Sequence, residues 1–431
     1  MRLSLVLASA LAGTISTSLV EAANATQKAA LASLPLALSP DPEFNFQLLI
    51  SLGSLPYAAG DILAAAAVLV QNSFYSFNTT FAVLANATYA AAEKAAVPNP
   101  VNARNTYFAA SNYYRSADFF LHGNWSDPLI FEYWTGQTLA FNKAIASLPV
   151  PGRRITLPAD GFETVGTYFA VDNSTTKRRT LVIIQGYDAA QEDSYMQMGA
   201  SAIQRGWNVL TIEGPGQPTV RRYQGLGFIP DYEKVLVPAV NWLANRTDID
   251  MSKLALAGIS MGGYLAARAA AYEPRIKALV LDDGVWDVQA SIESGFPTEL
   301  LQIYAAGNQT EFDAIIDDAI VNNASASSSA RWGIDQGLWA FKTHSTYNLL
   351  QQAAAYKVQN ITHLLNIPIL VGNAVDDTDF PGQAMEVYHQ LVSQNKNVTL
   401  HNFTGPASYH CQAGDFETAN RAMLGWLETA F

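Results

Sequence analysis

The apolar positions of this chain change rhythm near residue 150. Before that point, apolar and aromatic residues recur at helical spacing. Residues 61–69 are rich in Ala and Leu, and Tyr107, Phe108, Tyr113, Tyr114, Phe119 and Phe120 form an aromatic stripe. Such a stripe predicts a helical core, part of which can also face a site. Pro149-Val150-Pro151-Gly152 interrupts the pattern and reads as a linker. Beyond it, short apolar runs alternate with amphipathic stretches. Strands are expected at 166–170, 180–184, 207–212, 254–257, 276–281, 367–371 and 398–401. Helices are expected at 191–205, closed by Gly206, at 231–245 behind an Asp N-cap, and at 264–271. Strands alternating with helices give an α/β fold with a doubly wound, mostly parallel sheet. A Ser/Ala-rich stretch at 324–330 predicts a flexible tip inside an insertion at about 286–345.

The N-terminus adds a targeting segment to this layout. Met1-Arg2-Leu3 precedes a small-residue apolar run through Val20, and Glu21-Ala22-Ala23 offers a cleavage site. This pattern predicts a signal peptide at 1–22, followed by a helical cap domain at 23–152 and a catalytic domain at 153–431. Asn-x-Ser/Thr sequons begin at Asn24, Asn78, Asn86, Asn124, Asn173, Asn245, Asn308, Asn323, Asn360, Asn397 and Asn402. Their density predicts a secreted, extracellular eukaryotic glycoprotein. Asn397 and Asn402 flank a strand and are expected to be partly occluded.

Composition narrows the partners. Lys and Arg total 25 against 37 Asp and Glu, a net charge of −12. That balance argues against nucleic acid or an anionic membrane as partner and leaves a small-molecule substrate. The lone cysteine, Cys411, excludes an intrachain disulfide, and no cysteine cluster suggests a metal. It is expected to be a buried small hydrophobe beside His410.

Candidate chemistry centres on Gly258-Ile259-Ser260-Met261-Gly262-Gly263. A predicted strand precedes it and a predicted helix follows. A sharp strand-to-helix turn holds Ser260 in a strained conformation with its hydroxyl exposed as a nucleophile. The Met261 N–H then points from the helix start toward a developing oxyanion. The plainer alternative is that Ser260 only caps the helix. A nucleophilic serine needs a base and an orienting acid. Of the six histidines, His401 falls inside the last strand, whereas His410 falls in a loop before the C-terminal helix and is the expected base. Asp376, Asp377 and Asp379 follow the 367–371 strand. Asp377, with Pro381 four residues on, is the first choice for the acid and Asp376 the second. The loop after the 180–184 strand reads Gln185-Gly186-Tyr187-Asp188. There the Tyr187 N–H is the expected second oxyanion donor and its ring a pocket wall. Gly214-Pro215-Gly216-Gln217 is expected to shape the same rim.

Several segments together carry a resemblance. They are Gly186-Tyr187-Asp188 with Glu192, Gly214-Pro215-Gly216-Gln217, the Ser260 segment, Phe380-Pro381-Gly382-Gln383 and His410-Cys411-Gln412, with Ala103–Tyr107 and Ser111–Leu121 upstream. The chain resembles the 2,6-dihydropseudooxynicotine hydrolase-like group of α/β-hydrolases, which also holds fungal hydrolases that shorten polyketides. The resemblance implies an N-terminal helical cap over an α/β-hydrolase core, a Ser-Asp-His triad, no cofactor, and often a homodimer. It implies either esterase activity or cleavage of a carbon–carbon bond beside a carbonyl. The expected function is therefore a secreted serine hydrolase acting on an ester. The alternatives are a carbon–carbon bond hydrolase for a β-diketone-like metabolite and an inactive hydrolase fold used for binding.

Overall fold

The computed structural model describes residues 37–96 and 98–431. The expected signal peptide and the Asn24 sequon lie outside them. Five helices come first: Pro42–Ser54, Ala59–Ala66, Phe74–Ala95, Pro100–Asp118 and Leu129–Ala146. Their starts are written in the sequence. Asp41 accepts from the amides of Glu43 and Phe44, Ser73 caps at Ser76, and Asn99 caps just before Pro100. The aromatic stripe packs as core, with Phe44 centred 4.8 Å from Phe77 and 5.2 Å from Phe120. Among the described residues no single helix is long and apolar enough to cross a membrane.

The sheet has eight strands: β1 Arg153–Pro158, β2 Glu163–Phe169, β3 Arg178–Ile184, β4 Asn208–Glu213, β5 Ile249–Ile259, β6 Ala278–Asp282, β7 Ile369–Ala374 and β8 Val398–Phe403. Their spatial order is β1-β2-β4-β3-β5-β6-β7-β8. Only β1–β2 and β2–β4 are antiparallel. This is the doubly wound, mostly parallel sheet of the α/β-hydrolase fold. Side chains alternate between its faces. Leu181, Ile183, Val209 and Ala257 face the N-terminal helices and the C-terminal helix Phe416–Leu427. Val182, Ile184, Leu210 and Leu256 face Val235, Leu265 and Leu391 on the other side. Each buried aliphatic side chain contributes about 2 kcal/mol, so both layers are firmly attached to the sheet.

The insertion carries helices Val288–Glu293, Thr298–Ala305, Gln309–Ile316 and Ser328–Ala340. It departs from expectation at 324–330, which is not a free tip. Ser327 caps the last of these helices, the buried Ser328 hydroxyl bonds Asp41, and Arg331 bonds Asn72. The insertion is thereby tied to the N-terminal helices. A second correction concerns Asp231. The helix begins at Glu233, and Asp231 spends its carboxylate on Arg268 at 3.4 Å and Lys234 at 3.9 Å instead of capping. Asn78 is only 6 % exposed inside its helix, so that sequon has no room for a glycan in the folded chain. Asn397 and Asn402, in contrast, are both exposed.

Candidate active site

Ser260 follows β5 directly and has φ +59°. A β-carbon is penalised in this left-handed region, so neighbouring contacts must impose it. Two do so. A β-carbon on Gly258 would lie 2.0 Å from the Gly262 carbonyl oxygen, and one on Gly263 would lie 2.1 Å from that of Asp283. The turn therefore closes only with glycine at both places. The Ser260 N–H donates to the Asp282 carbonyl at 2.6 Å, which ties the turn to the end of β6. Helix Gly262–Tyr272 then packs against the central strands β3, β5 and β6.

His410 reaches Ser260 from the loop after β8. Its Nε2 lies 2.8 Å from Ser260 Oγ, and its Nδ1 lies 2.9 Å from Asp377 Oδ2. Asp377 follows β7, and its other oxygen accepts from the amides of Asp379 at 2.7 Å and Phe380 at 3.0 Å. Asp376, the second choice for the acid, is exposed and faces away from the imidazole. Burial alone would raise the Asp377 carboxyl, but the His410 ring beside it holds it well below the usual range. Burial likewise opposes charge on His410, yet Asp377 and its neighbours outweigh it and raise that imidazole well above its ordinary value. Cys411 is buried with Sγ 3.3 Å from His410 Nε2, and desolvation pushes its thiol up. It is a protonated wall group rather than a second nucleophile.

Sequence reasoning missed a second carboxylate on the same ring. Asp283 Oδ2 lies 3.3 Å from His410 Nδ1, and Asp283 is 1 % exposed. Its oxygens also accept from the amides of Ala374 and Cys411, both at 3.2 Å. Burial and the nearby Asp377 charge push its carboxyl up to about 6. Its signal in the sequence is the pair Asp282-Asp283 directly after the expected 276–281 strand, one strand before the Asp377 loop.

The loop after β3 closes the other side. A β-carbon on Gly186 would lie 2.6 Å from the Met261 nitrogen and 2.9 Å from Ser260 Cβ. Glycine there lets Tyr187 and Met261 converge beside the nucleophile. Tyr187 is held at both ends: its hydroxyl donates to the Gly333 carbonyl at 2.8 Å, and its carbonyl accepts from Gln336 Nε2 at 2.9 Å. From below, Gln217 Nε2 donates to the Gln185 carbonyl at 2.6 Å, while its oxygen accepts from Gly214 N–H at 2.8 Å. The Gly214–Gln217 segment thus supports the loop after β3 from below, and the rim expected of it is formed by other residues. Arg115, from the N-terminal helices, pins the same loop through Asp188 at 3.1 Å and Asp193 at 3.2 Å. Gln383 plays the corresponding part at the insertion, accepting from the amides of Trp286 and Asp287 at 2.8 and 2.9 Å.

Ser260 opens into a cavity of about 240 Å³. Its walls are chiefly Val288, Ile292, Phe296, Ile320, Trp332 and Ile334 of the insertion, with Phe46, Tyr187 and Phe380. The insertion therefore forms most of the roof. The N-terminal helical domain, expected as the cover, contributes only Phe46 to this cavity. Glu43, three residues earlier on the same helix, is buried beside the wall residue Ser329. Desolvation, with the charges of Asp379 and Asp188, pushes its carboxyl up to about 8.

Comparison with known proteins agrees with this architecture. A family described as PET hydrolase-like matches residues 142–310, the part that includes Ser260. The chain is 28% identical to Hydrolase LUC6 of Fusarium sp over 91% of its own length and 97% of that protein. It is 26% identical to 20-hydroxy-prefusarin hydrolase FUS2 of Gibberella moniliformis over 90% of this chain and 96% of that protein. Among solved structures, 2,6-dihydroxy-pseudo-oxynicotine hydrolase superposes with a TM-score of 0.69 at 18% identity, covering 89% of this chain and 95% of that one. AbyA5 superposes with a TM-score of 0.60 at 16% identity, covering 88% and 92%. The likeness in fold, together with relatives named as hydrolases along nearly the full chain, makes this protein a hydrolase of α/β-hydrolase fold that is similar to these fungal enzymes.

Proposed function

We propose that this chain is a secreted, cofactor-free serine hydrolase that cleaves an ester or related acyl bond of a small-to-medium apolar carbonyl compound. One observation carries the reading: Ser260, His410 and Asp377 form a continuous hydrogen-bonded line at the floor of a largely apolar cavity. In the tautomer that the carboxylates impose, His410 Nδ1–H donates to Asp377 and Nε2 accepts from the Ser260 hydroxyl. Ser260 Oγ attacks the carbonyl carbon while His410 takes its proton. The Met261 and Tyr187 amides stabilise the oxyanion. His410 returns the proton to the departing alkoxide, and a water deprotonated by the same ring releases the acid and restores Ser260. The N-terminal segment and the exposed sequons, such as Asn173 and Asn245, support the secreted assignment.

A second reading rests on Glu43. If Ser260 attacks a ketone flanked by another carbonyl, the carbon–carbon bond breaks and its electron pair leaves as an enolate that must gain a proton. Glu43 lies on the same helix face as the wall residues Phe46 and Ile50, and burial pushes its carboxyl up to about 8, which supports a proton donor close to the site.

The test is fluorophosphonate labelling followed by intact mass, alongside turnover of short p-nitrophenyl esters. Labelling of the wild type and none of Ser260→Ala is expected. Ester turnover retained in Ser260→Ala would overturn the reading. Labelling without ester turnover would favour the carbon–carbon bond reading.

A further inference from the structure

Ser260 and His410 border two cavities, not one. Beside the large apolar chamber lies a second of about 50 Å³ that also touches both side chains. Its walls come largely from the N-terminal helices, through Gln47, Ile50, Asn112, Arg115 and Phe119, with Gln185 from the loop after β3. One water occupies about 10–15 Å³ of such space, so this chamber has room for about four non-hydrogen atoms.

Its lining sets several polar side chains among Ile50, Phe119 and Ile259, and most of those polar groups are already paired. Arg115 is bound to Asp188 and Asp193. Gln185 Nε2 donates to Gln197 Oε1 at 2.8 Å, and Gln47 Nε2 donates to Glu43 at 3.2 Å. Asn112 is the exception. It is 2 % exposed, and its Oδ1 has no hydrogen-bond partner among the described residues. A buried amide oxygen left unpaired is unfavourable, so a donor that reached Asn112 Oδ1 from the chamber would be favoured, while the one guanidinium in the wall is already paired.

The geometry points to a division of the substrate at Ser260: the bulky apolar arm lies under the insertion, and the small chamber takes a short arm of about four non-hydrogen atoms bearing a hydroxyl or amine that donates to Asn112. This inference rests on the serine hydrolase reading and specifies its substrate class, a carbonyl compound with one large and one short, hydrogen-bond-donating arm.

The experiment measures covalent labelling of Ser260 by p-nitrophenyl phosphonates, so it does not depend on which bond the enzyme cleaves. Each probe carries a naphthylmethyl group on one arm. The other arm is methyl, propyl, 2-hydroxyethyl, butyl or octyl. Labelling rates are read from intact mass. The octyl probe is expected to react at least 100-fold more slowly than the methyl probe. The 2-hydroxyethyl probe is expected to react at least threefold faster than the equally long propyl probe. Asn112→Leu removes that hydroxyl preference, and Ile50→Ala, which enlarges the chamber, raises the octyl rate at least tenfold. Octyl labelling within threefold of methyl, or a hydroxyl preference unchanged in Asn112→Leu, overturns the inference. Failure of even the methyl probe on protein that melts normally overturns the serine hydrolase reading instead.

Discussion

Removing Asp377 should cost far less than removing an acid from an ordinary triad, because a second carboxylate stands on the same proton. Loss of the orienting acid typically lowers kcat by about 10⁴-fold. Here the His410 Nδ1 distances are 2.9 Å to Asp377 and 3.3 Å to Asp283. At an effective dielectric of about 20, unit charges at these separations attract by about 5.7 and about 5.0 kcal/mol. Substituting one for the other forfeits about 0.7 kcal/mol, or about threefold in rate. The Asp377→Ala change also deletes two turn hydrogen bonds, to Asp379 and Phe380, which loosens the loop. The expected fall in kcat is therefore about 10–100-fold for Asp377→Ala. Asp283→Ala should fall no further than this, and the double variant about 10⁴-fold. Burial first and the Asp377 charge second raise the Asp283 carboxyl to about 6, so deleting Asp377 lets Asp283 ionise more readily and take over the ring. The assay is ester turnover per fluorophosphonate-titrated site, with a melting curve for each variant. An Asp377→Ala variant as slow as the double variant, at unchanged melting temperature, would refute the idea that Asp283 shares the imidazole.

Four further outcomes follow from the same geometry. Glu43 has a folded pKa of about 8 against an ordinary 4.5, so the folded state holds a proton that the unfolded chain releases. Its contribution to stability should decline as pH rises from about 4.5 to 8, and Glu43→Gln should flatten that part of a melting-temperature profile by a few degrees. Arg115→Met leaves Asp188 and Asp193 buried without their cation. Melting temperature and kcat should both fall, with partial rescue of kcat in Arg115→Lys, because Tyr187 sits on the loop that Arg115 pins. Gly263→Ala drives a methyl group to 2.1 Å from the Asp283 carbonyl and should cost about 3 kcal/mol or more, read in denaturant unfolding. The elevated His410 pKa places the acid limb of the kcat/KM profile above its usual position near 6.5, and Asp377→Ala should move that limb downward.

Short-range signals were enough for the parts of this site that lie on strand ends. The apolar run before Gly258, the Ala-rich stretch after Gly263 and the loop position of His410 fixed three elements whose local chemistry matches their tertiary role. Asp377 could be separated from Asp376 only in three dimensions, because both follow β7 and differ only in the direction that the turn gives them. Other features were set entirely by long-range contacts. Asp231 looks like an N-cap in sequence, yet Arg268, thirty-seven residues away, captures its carboxylate. The 324–330 stretch has a loop-like composition, yet Asp41 and Asn72 hold it. Arg115 read only as part of a helical signature. Its partners in the oxyanion loop are more than seventy residues distant, and no local periodicity reports them. Gly214–Gln217 and Phe380–Gln383 help to carry the resemblance, but the bridging of different strand ends by Gln217 and Gln383 is a role that needs the fold to be seen.

The buried carboxyls of this chain and the imidazole of His410 set two opposing demands on pH. Glu43, Asp283 and Glu213 are all pushed up, to about 8, 6 and 7, chiefly by burial. Each is raised above its unfolded value, so each binds its proton more tightly in the native chain, and each favours the fold on the acid side of its own pKa. Stability should therefore decline as pH climbs from about 4 to 8. Asp118 works the other way. Burial would raise it, but Arg222 at 2.5 Å holds it at about 2, so its support is lost only as pH falls from about 4 toward 2. Together these groups place greatest stability at mildly acidic pH. Catalysis asks for the reverse, since His410 is a base only once it has lost its proton, and its neighbours keep that proton on. In the proposed mechanism, Asp377 and Asp283 would stabilise the imidazolium of the transition state at the expense of the neutral ring present before it. The same two carboxylates make His410 a strong proton acceptor and confine that strength to the pH range where the surrounding acids begin to weaken the fold.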